Sequence, residues 1–138
     1  MILAISASTM RDHFLSSAAN GWCSLAIQRT GTTFLSNVEI ARDSASRRRG
    51  LLGRESMGPG QAFVIAPSQG VHTFGMRFAI DIIAVGRDGR VIKVRSRVSP
   101  RRVVLVWSAF AIMELAAGAL DCSDLRKGDY LVCQPKRV

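Results

Sequence analysis

The run Phe78-Ala-Ile-Asp-Ile-Ile-Ala-Val85 constrains what this chain can fold into more than any other stretch. Strict alternation places Phe78, Ile80, Ile82 and Ala84 on one face, and Ala79, Asp81, Ile83 and Val85 on the other. Both faces are mostly apolar, so the run reads as a strand covered on both sides, deep in a sheet. Asp81 is the exception. A carboxylate on such a face needs donors or a cation, because burying it unpaired costs several kcal/mol or forces it to take up a proton.

Other runs give the strand partners. Trp22 to Arg29 and Thr33 to Ala41 form an expected hairpin around Gly31-Thr32. A short helix follows, capped by Asp43 or Ser44 and closed by Gly53, with Leu51 and Leu52 docking on the sheet. Arg47, Arg48 and Arg49 are consecutive, so they fan around that helix. Gln61 to Ala66 is a further strand, ended by Pro67-Ser-Gln-Gly70, and Val71 to Met76 leads the chain back. Arg87-Asp88-Gly89 is the strongest turn signal. After it, Val91 to Arg97 is expected to point Ile92 and Val94 inward and a stripe of Lys93, Arg95 and Arg97 outward, where basic side chains also protect a sheet edge.

Val103 to Leu120 holds Glu114 as its only charged residue and approaches the length of a short membrane span. The internal carboxylate, Gly118, and the β-branched and aromatic residues near its start favour two strands instead. Glu114, sharing a face with Phe110 and Ile112, stands in the same position as Asp81. One or two helical turns are expected from Gly118 to Leu125, a turn at Arg126 to Asp129 and a closing strand at Tyr130 to Cys133. The expected fold is therefore mainly β: a compact antiparallel sandwich or partly closed barrel with one or two short helices. Residues 1–20 read as an N-terminal arm containing His13, with Met10 as an alternative start, and 21–138 as a single β-rich domain.

Composition narrows the chemistry. Cys23, Cys122 and Cys133 are odd in number and scattered, which argues against a disulfide framework or structural zinc and points to a reducing, cytoplasmic setting. The first residues lack the basic start of an export signal. A net charge of +9 and a pI near 11 invite a polyanionic partner, yet the excess is almost all arginine and no aromatic residues interleave Arg47 to Arg49 to stack bases. Nucleic-acid binding is thus the lesser reading, and membrane association is not favoured. His72, Asp81 and Glu114, from three different strands, are the candidate base and two acids for proton transfer or hydrolysis. Arg54 and Arg77 are candidate anion binders, and Phe74, Gly75 and Met76 the candidate floor of an apolar pocket beside His72. No metal site or cofactor is indicated: no second histidine lies near His72 in sequence. No serine sits in a nucleophile elbow. A non-catalytic binding or accessory module for a peptide or small anionic ligand is preferred over the acid/base enzyme.

Five ordered blocks carry a resemblance. They are Arg48-x-Gly50-Leu51-Leu52-Gly53-Arg54, His72-Thr-Phe-Gly-Met76-Arg-Phe-x-Ile-Asp81, Asp88-Gly89-x-Val91, Glu114-Leu115-x-x-Gly118 and Lys127-Gly128-Asp129. From about Val38 to Cys133 the chain resembles the small bacterial and archaeal family known as domain of unknown function 192, in its glycine-bearing branch at Gly75. Ala79 and Ala116 replace the family's usual prolines, and Leu52 a common methionine. The resemblance implies a compact, mostly β domain and brings no activity, cofactor or partner; many relatives carry an export signal or lipid anchor.

Overall fold

The structure is a computed structural model, and it describes residues 22–41 and 43–135. The expected N-terminal arm, His13 and the alternative start at Met10 lie outside these residues. The chain runs β1 (Trp22–Ile27), β2 (Thr33–Ile40), α1 (Ser44–Arg49), β3 (Gln61–Ile65), β4 (Gly70–His72), β5 (Ile80–Val85), β6 (Val91–Val98), β7 (Val103–Leu105), β8 (Ala111–Ala116) and β9 (Leu131–Pro135). Seven strands form one sheet in the order β6-β5-β8-β3-β2-β1-β9, and β4 pairs with β7 as a separate two-stranded ribbon. The sheet curls until its ends touch. Arg90, just before β6, bridges Tyr130, just before β9, and the Val91 and Leu131 amides donate across this seam to Asp129 and Gly89. The molecule is a mainly β, partly closed barrel, as the strand patterns predict.

β5 lies between β6 and β8, and all its residues are buried. Its two apolar faces serve two cores. Ile83 and Val85 join Leu25, Leu35, Val38, Val64, Met113 and Leu115 on one side of the sheet. Ile80, Ile82 and Ala84 join Phe63, Ile65 and Ile112 on the other, where Leu51, Met76, Val104 and Val106 cover them. The connections between the large strands therefore make the second cover.

Several details differ from the pattern reading. β2 and β3 run parallel, the one parallel joint among the described strands of the sheet, so the connection between them must cross over the sheet. The helix is shorter than expected. Asp43 is its N-cap, accepting from Ser46 N at 2.7 Å, but Gly50 rather than Gly53 ends it, with φ +50°. Ile92 and Val94 face different cores because a bulge between the Ala84–Lys93 and Val85–Val91 pairs inserts Ile92 as an extra residue. Residues 117–123 form successive tight turns rather than helix. β8 is buried up to Leu115, whereas β7 alternates exposed, buried, exposed.

Candidate functional site

Glu114 lies mid-way along β8, directly across from Ile82 of β5 on one side and Phe63 of β3 on the other. Directly opposed residues in a sheet share a face, so the carboxyl is walled by two buried apolar side chains. It is only 3% exposed, and its Oε2 has no hydrogen-bond partner among the described residues. Burial pushes its pKa up to about 7, against the pull of the nearby Arg54 cation. Arg54 is itself engaged. Its Nη2 is 2.9 Å from Glu39 Oε2, and its guanidinium lies over the Phe63 ring, 5.4 Å from the centroid.

Above Glu114 opens a cleft of about 490 Å³ between α1 with its following turn and the β4 side of the ribbon. Glu114, His72, Met76 and the three arginines Arg47 to Arg49 all line it. Arg48 and Arg49 are exposed, while Arg47 is half-buried and donates to Ser44 Oγ. Gly50 keeps the way to the acid open: a Cβ built there would stand 4.0 Å from Glu114 Oε2, and its positive φ disfavours any side chain. The cleft is thus negative or proton-bearing at depth and positive at its mouth. His72 is exposed on the rim, and its ring centroid is 6.1 Å from that of Phe74.

The predicted site residues divide into two sets. His72, Met76 and Glu114 share the cleft. Asp81 does not. It pairs across from Leu115, so it emerges on the opposite face of the sheet from Glu114. There its Oδ1 accepts from Arg97 N and its Oδ2 from Leu120 N, both at 2.8 Å. Arg97 has φ +49° and sits at a bulge opposite Asp81, where the regular ladder is interrupted. The carboxylate replaces the missing ladder acceptor and ties the 117–123 turns to the sheet. Met76 is buried in the second core, and Gly75 turns the chain with φ +82°. Phe74 is half-exposed, and Arg77 makes a surface ion pair with Glu55 at 3.3 Å. The basic stripe on β6 is broken: Lys93 is half-buried and Arg97 pairs with Asp121 at 2.7 Å.

Two features escaped pattern reading. The arginines of α1 reach the same cleft as Glu114 because of the crossover, and only the parallel joint reveals that. The ribbon also carries an exposed apolar row, Val103, Leu105 and Trp107, at 59, 51 and 72% exposure. Its signal was period-2 alternation with the buried Val104 and Val106, hidden inside a run that looked uniformly apolar.

A partly closed β barrel with a crossover strapped over one face, and an acid at the bottom of the cleft so formed, defines a small β domain of compact type. The DUF192 family model, described as Uncharacterized ACR, matches residues 25–133, and the chain belongs to this family. Two crystal structures share the fold. One, from Sinorhizobium meliloti 1021, was proposed to be a transcription regulator; it is 21% identical, with a TM-score of 0.71 over 81% of this chain and 92% of that one. The other, a protein of unknown function from Novosphingobium aromaticivorans DSM 12444, is 20% identical, with a TM-score of 0.65 over 80% of this chain and 83% of that one. At such identities the likeness establishes the fold alone. Among curated proteins none matches.

Proposed function

We propose that the protein is a non-catalytic binding module whose cleft takes a small polar ligand, anchored on Glu114. One observation carries this reading: a carboxyl buried in a cleft open to solvent, with Oε2 unpartnered among the described residues. An unpaired buried acceptor costs about 1–3 kcal/mol, and a ligand donor that fills it recovers much of that. His72 at the rim and the α1 arginines at the mouth supply the recognition of a ligand's outer end. The test is a thermal-shift screen of a metabolite library against the wild type, Glu114→Gln and His72→Ala. Hits that stabilise the wild type and lose their effect in both variants support the reading; hits indifferent to both, or no hits, overturn it.

A second reading is acid/base catalysis, favoured by the Glu114 pKa near 7, which suits proton transfer at neutral pH. Of the other two candidate acid/base groups, His72 lines the cleft with Glu114 and Asp81 faces the other way. Turnover of ester or phosphoester panels that rises or falls around pH 7, and vanishes in Glu114→Gln, would replace the binding reading with this one. We also infer a cytoplasmic setting, supported by the exposed free thiol of Cys122; cell fractionation that recovers the protein outside the cytoplasm would overturn it. Among the described residues no helix is long and apolar enough to cross a membrane.

A further inference from the structure

We propose that the ligand of this cleft is a small zwitterion, with a primary ammonium seated on Glu114 Oε2 and a carboxylate or phosphate held at the mouth by Arg48, Arg49 and His72. The inference rests on the cleft being a binding site, and it specifies the chemistry at each end.

The deep end asks for a donor, since Oε2 is an acceptor walled by Ile82 and Phe63 and meets no described hydrogen-bond donor. A hydroxyl would supply one hydrogen and no charge. An ammonium supplies three donors and a full positive charge, which holds the carboxylate ionised in a site where bare burial disfavours ionisation. A divalent cation is the poorer match: among the described residues no three His, Cys, Asp or Glu side chains gather, so it would meet a single protein carboxylate. Gly50 leaves room for the ammonium beside Oε2, where a side chain would narrow the approach.

The outer end asks for an anion. Arg29, Arg54, Arg77, Arg97 and Arg126 each have a carboxylate partner. Arg48 and Arg49 make no ion pair with a described residue, and both line the cleft. Their guanidinium forks suit a carboxylate or a phosphate equally. A cleft of about 490 Å³ is in the range for a whole small ligand. Opposite charges at its two ends then orient a dipolar molecule and reject one charged the other way round.

The experiment follows backbone amide shifts of the full chain in two-dimensional NMR titrations. The probes are 4-aminobutyrate, 6-aminohexanoate and O-phosphoethanolamine, with N-acetyl-6-aminohexanoate, hexanoate and hexylamine as controls lacking one charged end. Saturable shifts are expected at Gly50, Leu51, His72 and Met76 with at least one zwitterion, and at least tenfold weaker binding for each control. Glu114→Gln should abolish the preference for a free amine. The double variant Arg48→Ala/Arg49→Ala should abolish the preference for the anionic end, and the carboxylate and phosphate probes show which anion is favoured. If the acetylated probe or hexanoate binds as well as the zwitterion, the proposal is overturned while the cleft remains a binding site. If no probe moves these amides, the proposal is overturned, and the library screen alone then decides whether the cleft binds anything.

Discussion

Burying Glu114 between Ile82 and Phe63 makes folding take up a proton. Its folded pKa is near 7 against an ordinary 4.5, so the folded state binds the proton more tightly. The resulting contribution is present below about pH 4.5 and is lost as pH rises through 7, by about 3 kcal/mol. Urea unfolding of the wild type should therefore show stability falling from pH 5 to pH 8. Glu114→Gln should flatten this slope and raise stability at pH 8; a slope unchanged in the variant would mean that other groups set it. Asp81, on the other face, is a satisfied structural acceptor. Asp81→Ala leaves the amides of Arg97 and Leu120 without their partner and should cost about 2–5 kcal/mol by the same unfolding measurement. Ligand-induced shifts at Gly50 and His72 should survive in Asp81→Asn, since Asp81 lies on the other face. Sequence patterning identified both acids as needing partners. It could not say that one would find backbone amides at a bulge and the other nothing described, because bulges leave no period-2 signature.

At the scale of the element, β7 separates packing from display within a few residues. Val104 and Val106 point into the second core while Val103, Leu105 and Trp107 point out. Val104→Ala should lower stability by about 2 kcal/mol, from lost burial and the space left behind. Trp107→Ala should change it by no more than about 0.5 kcal/mol, and equal losses for the two in chemical unfolding would contradict this orientation. Gly70 belongs to the same device: a Cβ there would stand 2.6 Å from Leu105 Cδ2, so the bare strand lets the leucine lie across it. Most strands were legible from alternation and turn signals, β5 above all. The faces of Ile92 and Val94 were not, since one inserted residue reverses everything beyond it. The helix end was misplaced for a similar reason: Gly50 and Gly53 both have positive φ, and composition alone does not tell which one stops the helix.

For the whole molecule, the seam where the curled sheet meets itself is closed by an isolated bridge between Arg90 and Tyr130 rather than by a ladder. Asp129 holds it, accepting from Arg29 Nε at 2.9 Å and from Nη2 at 3.1 Å, and from Arg126 N at 2.8 Å. The Arg29 guanidinium holds its carboxyl below the usual carboxylate range, so this contribution is present at neutral pH and lost as pH falls through the depressed value. Asp129→Asn should accelerate amide exchange at Val91, Gly128 and Leu131 while leaving Ile83 and Met113 protected. Uniform acceleration across all five would show that the seam is no separate unit.

The crossover between β2 and β3 has a kinetic consequence. Its two ends continue strands hydrogen-bonded to one another, and between them Leu51 is buried and Arg54 is tied to Glu39. The α1 wall of the doorway to Glu114 is thus anchored to the sheet at both ends and in the middle, and a guest is expected to enter past it without a gating step. Stopped-flow traces should show one phase whose rate climbs linearly with guest concentration, without the plateau that a gating step would impose.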